Sequence, residues 1–406
     1  MRHPATRRWR IKLVVSAVAV FCSAIALLAG AAPATASQPQ GPQVKTLEVA
    51  VKIGPVSAIG PTQHLAASSA CAPRFGEFDR TDACWSVTLA FTFFINGRPV
   101  GALAVLLEQS IHLHPGGLRW IENDTVLATA SRGRTAPVLA ALEASCDKPC
   151  HAVAHFRGVL RRGLHGTVDY TDHLRPHQVN LTPTHYKLLW VAPPFAPLNF
   201  PKWDSPISYR CDDDLAPQTV ANVPEAAAAL DPAGCVFPRD IPTLTLAISK
   251  FGASAAMIRW AQQHMDGKWG LQSSNRPLNR LGDTAKATEN RRKICRTDWR
   301  AHPKVPHDSC DEYPFAGSEQ SPGTRPGFTS GRRCAQVTAV ETGKPGQTEL
   351  QRWKTVAPLG KFSAAAPCVR GHIPLAQNRR AGGAYGGFVG SERLLPGDKF
   401  WVAVTG

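Results

Sequence analysis

Short apolar runs dominate the chain between Leu47 and Val191. Residues 45–56 alternate apolar and polar side chains, and residues 85–95 and 100–108 are almost continuously apolar with many β-branched and aromatic residues. Both patterns predict strands. Asn96-Gly97 lies between the last two and predicts a tight hairpin, because both residues tolerate positive φ. Residues 37–205 therefore predict a β-sandwich-like module.

Helical periodicity is clearest over residues 253–266, where Ser254 is the predicted N-cap and Gly267 the predicted stop. One face carries the predicted core stripe, which consists of Ala256, Met257, Trp260, Ala261 and His264. On such a stripe His264 is more typical of a packed side chain than of a ligand. Residues 206–294 are interpreted as a linker and helical segment.

The last 112 residues, 295–406, change the pattern again. A strand is predicted near Cys334 and another over residues 399–404, after the turn Pro396-Gly397-Asp398. Between them, apolar residues recur at helical spacing, at Ala381, Ala384, Tyr385, Phe388 and Val389. With the extended segment of Asp311 and Glu312 as the first strand, the order strand, strand, helix, strand fits a small ββα core, and the whole chain is expected to be α+β.

Composition places the chain among globular proteins, with 43% hydrophobic and 19% charged residues over a length of 406. That length favours two or more domains. Residues 291–406 hold 18 basic and 9 acidic residues, a net charge of +9, whereas residues 37–290 hold 23 and 21, a net of +2. The basic segment indicates a polyanionic partner such as nucleic acid, or else a solvated surface that maintains solubility.

The N-terminus has the features of a secretory signal peptide over residues 1–36. A positive region formed by Arg7, Arg8, Arg10 and Lys12 precedes an uncharged apolar stretch, and Ala34-Thr35-Ala36 forms a small-x-small cleavage site. We therefore expect a secreted protein with no stable membrane association after cleavage. The alternative is an uncleaved anchor, since the apolar stretch is long enough to span a bilayer.

Ten cysteines follow the predicted signal peptide, and an even number in an exported chain predicts a disulfide framework. The absence of any Cys-x-x-Cys pair argues against zinc. Other connectivities remain open, but pairing of sequence neighbours gives Cys71–Cys84, Cys146–Cys150, Cys211–Cys235, Cys295–Cys310 and Cys334–Cys368.

Two acidic motifs stand out from the basic background. Asp212, Asp213 and Asp214 lack the ligand spacing of a helix-loop-helix calcium site and are interpreted as a solvated loop closed by Cys211–Cys235. Asp311 and Glu312 follow Cys310 directly, and adjacent residues on a strand point to opposite faces. One of these two carboxylates is therefore expected to act chemically while the other braces an arginine.

The run Cys310 to Ala316, CDEYPFA, and the later elements NRRAGG and RLLPGDKF resemble the secreted NucA/NucB deoxyribonucleases. The likeness covers residues 295–406, and it implies a ββα-metal-type nuclease domain that cuts DNA with a divalent ion, Mg²⁺ or Mn²⁺. By this resemblance Asp311 is the general base, Glu312 the second carboxylate and Asn378 the residue that faces the metal.

Phosphodiester hydrolysis also needs positive charge beside the phosphate, which Arg379, Arg380 and Arg393 are expected to supply. The chain departs from the family at Gln320, where a glutamate is usual, and at Gln377, where an acid is frequent. Glu319 is the candidate substitute for the first.

Three functional hypotheses remain open. The first is a secreted, metal-dependent endodeoxyribonuclease with His302 and His307 as alternative bases. The second is a DNA-binding or matrix-binding protein whose nuclease core has lost turnover. The third gives the N-terminal module the main role, as a carbohydrate or cell-wall adhesin.

Overall fold

The computed structural model describes residues 45–54, 56–58, 79–214 and 233–406. The described chain is mostly β-sheet with few helices, which confirms the expected α+β class. The predicted signal peptide and Cys71 lie outside the described residues. Within them, no helix has the length and apolar character needed to cross a membrane.

In the described ranges before residue 237 the chain forms fifteen strands. They are β1 Leu47–Ile53, β2 Ser57–Ala58, β3 Asp82–Ile95, β4 Arg98–His112, β5 Arg119–Gly133, β6 Leu139–Cys146, β7 Cys150–Ala154, β8 Arg157–Val159, β9 His165–Asp172, β10 Val179–Thr182, β11 Thr184–Val191, β12 Ala196–Pro197, β13 Lys202–Asp204, β14 Tyr209–Asp212 and β15 Gly234–Val236. The predicted hairpin joins β3 to β4, with φ values of 50° at Asn96 and 73° at Gly97.

Two sheets share one apolar core in this region. The larger has the order β12-β1-β3-β4-β5-β9-β7, with β2 also paired to β3, and the smaller has the order β13-β11-β6-β8. Phe91 of β3 meets Trp190 of β11 edge-on, with ring centroids 5.3 Å apart. This arrangement is the one expected of a β-sandwich-like module. The aromatic segment 192–208 joins the module, because Phe195 and Trp203 are buried in its core.

Residues 243–406 surround a second apolar core. Its elements are β16 Thr243–Ala247, α1 Ile248–His264, a 3₁₀ turn Gln272–Ser274, β17 Leu278–Asn279, α2 Thr284–Arg291, a π-helical turn Arg292–Arg296, β18 Asp308–Tyr313, a 3₁₀ turn Gly331–Arg333, β19 Ala335–Val340, α3 Glu349–Arg352, β20 Thr355–Pro358, β21 Val369–Pro374, α4 Leu375–Ser391 and β22 Lys399–Thr405. They form the sheets β16-β22-β17 and β18-β21-β19-β20. The segment predicted as a linker and helical segment, 206–294, contains helix α1 of the second core and also contributes strands to the first core.

Helix α1 differs from its predicted form. It begins at Ile248 and is kinked at Gly252, whose φ of 57° is left-handed and favours glycine. The helix resumes at Ala253, where the side chain of Gln377 accepts the backbone N–H at 2.7 Å. Gln377, rather than Ser254, is therefore the cap. His264 is exposed and stacks on Trp260, so it is not a core residue.

Three buried arginines join the two cores. Arg393, just after α4, donates to the carboxylate and the carbonyl of Asp212, and to Pro115 O at 2.7 Å. Arg80 and Arg210 each bond the Asp398 carboxylate at 2.8 Å. Asp212 is 0% exposed, so the interpretation of this position as a solvated loop is wrong. Its charge is needed in the interior because it compensates that of Arg393.

Four of the predicted disulfides are confirmed. Their sulfur atoms lie 1.93–1.98 Å apart in Cys146–Cys150, Cys211–Cys235, Cys295–Cys310 and Cys334–Cys368. Each joins sequence neighbours, as expected. The fifth predicted pair depends on Cys71, which lies outside the described residues.

A buried carboxyl pair lies in the first core. Gln109 donates to Glu122 at 2.8 Å and to Asp124 at 3.0 Å, and Tyr186 donates to Glu122 at 2.6 Å. Burial, more than any neighbour, raises the pKa of Glu122 and raises that of Asp124 to about 7. The fold therefore favours the protonated form of these groups.

Asp212→Ala is expected to lower the free energy of unfolding by about 3–5 kcal/mol, because it leaves the buried Arg393 charge uncompensated. Urea unfolding of the full chain measures this loss. Asp213→Ala is the matched control, since it removes the same charge from the next residue, which is only half-buried. Equal stability of the two variants would contradict the proposed charge compensation between Asp212 and Arg393.

The carboxyl pair predicts a pH dependence of stability. The unfolded chain releases the Asp124 proton near its ordinary pKa of 3.8, whereas the folded chain holds it up to about 7. The folded state binds more protons between these values, so stability falls as pH rises through this window. Thermal unfolding from pH 4 to 8 should show a flatter decline in Asp124→Asn than in the control Asp266→Asn, an exposed carboxylate. Identical slopes would exclude Asp124 as the source.

Candidate active site

Strand β18 carries the Asp311-Glu312 pair and lies at the edge of its four-stranded sheet. It pairs antiparallel with β21, which places Asp311 opposite Gly371 and Cys310 opposite His372. Strand β21 ends at Pro374 and α4 begins at the next residue. This local connection brings the first turn of α4 back over β18.

Asn378, in the first turn of α4, bonds directly to β18. Its amide nitrogen donates to Cys310 O at 2.8 Å and to the Ser309 hydroxyl at 3.1 Å. The Ser309 hydroxyl in turn donates to Ile373 O at 2.8 Å. Because the NH₂ group is engaged on β18, the Asn378 Oδ1 atom is directed away from these partners and is the acceptor that the side chain presents. Ser309 and Asp311 are two residues apart on β18, so their side chains point to the same face of the sheet. Because Asn378 bonds the Ser309 side chain, it lies over the face that carries Asp311.

Asp311 is half-buried between this helix and α1. Its carboxylate accepts the backbone N–H of Glu312 at 3.0 Å, and the Ser254 hydroxyl of α1 faces it. Burial, followed by the charge of Glu312, raises the pKa of Asp311 to about 7, although Ser254 and Arg291 oppose the increase. A carboxyl group with such a pKa is poised to exchange a proton near neutral pH.

Glu312 occupies the opposite face of β18, as the alternation predicts, and is 7% exposed. Its Oε1 atom lies 3.7 Å from Arg291 Nε, and its Oε2 atom lies 3.2 Å from Cys295 Sγ. The sulfur belongs to the Cys295–Cys310 disulfide and has no proton to donate, so this approach is a packing contact. Burial raises the pKa of Glu312, and Arg291 opposes this increase. Glu312 is therefore the carboxylate that braces an arginine.

Glu312 also belongs to a group of three potential metal ligands. The sulfurs of Cys295 and Cys310 and the Glu312 carboxylate lie within 4.8 Å of one another, and this is the one such His, Cys, Asp or Glu group in the described ranges. Metal binding by cysteine requires thiolates. The disulfide removes them, so the group could hold a metal only after reduction.

The other predicted site residues are dispersed. Arg379 and Arg380 are exposed next to Asn378, and Arg380 donates to Lys250 O at 3.1 Å. Arg393 is 0% exposed because it bonds Asp212 and Pro115 between the two cores. It is therefore not placed to contact a substrate. Glu319 is exposed, and no hydrogen bond or ion pair links its carboxylate to Asp311 or Asn378 where the structure describes the chain.

The two glutamines that depart from the resembled family both have structural partners. Gln320 exchanges two hydrogen bonds with Asn279, at 2.9 and 3.0 Å, and thereby fastens its loop to β17. Gln377 caps the second part of α1 and is 2% exposed. Neither side chain contacts Asp311.

The structure adds three side chains that sequence reasoning missed. Ser254 and Arg291 both oppose the increase in the pKa of Asp311. The His372 ring bonds the Asp308 carboxylate at 2.7 Å on the Glu312 face of the sheet. The backbone N–H of His302 donates to the same Asp308 carboxylate at 2.7 Å, whereas His307 supplies a carbonyl to Leu375. Arg291 belongs to the basic run 291–293 in the sequence. Only the folded structure distinguishes it from its neighbours, because it alone of the three lies against Glu312.

Comparisons of the chain with protein-family models, with curated proteins and with solved structures found no match. The likeness to NucA/NucB nucleases therefore depends on the motif residues.

Arg291→Ala should raise the pKa of Asp311 further, because a nearby positive charge that stabilises the carboxylate is removed. Carbon-13 NMR titration of the full chain in EDTA measures it. Arg292→Ala is the control, since Arg292 is paired with Glu289 at 2.6 Å. A pKa that moves equally in both variants would show that Arg291 has no special relation to Asp311.

Proposed function

We propose that the chain is a secreted, metal-dependent deoxyribonuclease that hydrolyses phosphodiester bonds of DNA without strong sequence preference. One observation carries this proposal. Asp311, whose pKa is raised to about 7, lies on the face of edge strand β18 that Asn378 of helix α4 covers. Strands β18 and β21 with helix α4 make the strand-strand-helix unit that the motif resemblance implies.

The donor set fits a hard divalent cation. Asn378 offers an amide oxygen whose orientation is fixed by the bonds of its nitrogen to Ser309 and Cys310, and the Asp311 carboxylate lies on the same face, where it acts as a base rather than as a ligand. Mg²⁺ and Mn²⁺ prefer oxygen ligands, and Mg²⁺ usually takes few of them from protein. When bound, such an ion supplies Lewis-acid polarisation of a phosphate oxygen.

Asp311 is assigned the role of general base. Its pKa near 7 means that a substantial fraction is ionised at neutral pH while the group retains enough basicity to take a proton from water. The Glu312 backbone N–H donates to the carboxylate, and the Ser254 hydroxyl faces it. Asn378 fixes the distance between helix and strand.

Positive charge for the substrate phosphate comes from two sides. Arg379 and Arg380 directly follow Asn378 in α4. Arg291 approaches from the end of α2, held by Glu312. Guanidinium groups suit phosphate because their planar N–H array matches its oxygens. Arg393 is omitted from this set because of its burial.

Secretion is the finer part of the proposal. Four disulfides favour a non-cytoplasmic compartment, since reducing cytosol rarely retains such bonds. The features of residues 1–36 are those of a signal peptide.

The alternative function is a nucleic-acid-binding or matrix-binding protein without turnover. The observation that favours it is that Gln320 and Gln377 are both committed to structural hydrogen bonds. No second carboxylate then replaces the glutamate of the resembled motif within the described site. DNA binding without cleavage in Mg²⁺ or Mn²⁺ would select this alternative.

The proposal predicts that the full chain relaxes supercoiled plasmid with Mg²⁺ or Mn²⁺ and that EDTA abolishes cutting. Asp311→Asn should lower kcat/KM by about 100-fold or more, because the base is lost while shape is preserved. Asp266→Asn, an exposed carboxylate in the same core region, should cut like the unmodified protein. Unchanged cutting by Asp311→Asn would refute the assigned base.

A further inference from the structure

A group of cations extends from Arg291, on the Glu312 side of β18, along the disulfide-linked segment 292–300 and into the turn 331–333. We call it the basic platform. It consists of Arg291, Arg292, Lys293, Arg296, Arg300, Arg332 and Arg333. All except the half-buried Lys293 are exposed.

Covalent and packing contacts fix the basic platform to the strand that carries Asp311. The Cys295–Cys310 disulfide ties its first segment to the residue before Asp311. A Cβ at Gly331 would lie 2.0 Å from Ile294 O, so only glycine lets the second segment approach this closely. Arg370 of β21 also donates to Ile294 O at 3.1 Å. The cations are therefore presented by a rigid base.

Much of this charge is not neutralised locally. Glu289 pairs with Arg292 and Lys293, and Asp298 pairs with Arg332 at 3.4 Å. No carboxylate in the described ranges lies within ion-pair distance of Arg296 or Arg300. Such exposed, unpaired cations leave the positive potential of the surface available to a partner.

The chemistry of the basic platform favours an extended polyanion over a membrane. None of the exposed large apolar side chains of the described chain falls between residues 291 and 333, so nothing there would insert into lipid. The cations instead reach strand β18 itself, because Arg291 lies against Glu312 on the face opposite Asp311. A duplex in contact with the platform would thus lead to the edge strand.

We infer that the basic platform binds the phosphate backbone of double-stranded DNA beside the edge strand that carries Asp311, an inference that rests on the proposed nuclease function. Each phosphate that is neutralised releases condensed counterions, so the cations set the salt dependence of binding. Because the platform offers charge without a groove-reading element, this binding is independent of sequence.

Fluorescence anisotropy of the full chain with a 20-base-pair duplex, in EDTA at 50–200 mM salt, tests the inference. The double variant Arg296→Ala/Arg300→Ala should reduce the slope of log K against log salt by about 1.8, from roughly 0.9 per lost phosphate contact, and weaken binding about tenfold at 150 mM. Arg161→Ala/Arg162→Ala is the matched control. It removes two exposed arginines from the loop before β9, far along the sequence from the basic platform, and should leave the slope unchanged.

Equal slopes in the two double variants would overturn the inference, because net charge alone would then explain binding. Plasmid cutting by the same proteins separates this failure from that of the proposed function. A protein that cuts DNA but shows equal slopes retains its nuclease function without the basic platform. If the protein cuts no DNA but the Arg296→Ala/Arg300→Ala variant shows the predicted decrease in slope, the nuclease function is refuted and the DNA-binding surface is supported.

Discussion

The hydrogen bonds between Asn378 and strand β18 are the constraint on which the candidate site depends. They join the first turn of α4 to the backbone of Cys310, one residue before Asp311. The connection is local in space because β21 runs into α4 without a loop and is itself paired with β18. A carboxylate and an amide that are 67 positions apart in the sequence, 378 minus 311, thereby reach one face of the sheet. Everything proposed for Asp311 requires this arrangement.

Burial then gives the two adjacent carboxylates different roles. Asp311 lies between two helices, accepts a backbone N–H and faces the Ser254 hydroxyl, and burial raises its pKa to about 7. Glu312 lies on the other face against a disulfide and Arg291. The same disulfide brings the basic segment to the strand. A single extended strand thus separates a group suited to proton transfer from a group that orients positive charge.

Local patterns predicted much of this fold. The hairpin at Asn96-Gly97, the helix through Ala381 and Val389, the final strand and four disulfide pairs all follow from short-range rules. Opposite faces for Asp311 and Glu312 follow from strand alternation. The failures involve long-range partners. Asp212 and Arg393 look like surface charges in sequence, and only the contact between the two cores buries them together. Likewise Gln377 caps a helix that lies 124 residues earlier, which no local pattern reveals.

The measurement that tests the site most directly is anomalous diffraction from crystals of the full chain grown with Mn²⁺. The account predicts a manganese peak within bonding distance of Asn378 Oδ1, on the face of β18 that carries Asp311. A fully occupied peak elsewhere, with none at Asn378, would contradict it, because the strand and helix would then position no cation for hydrolysis.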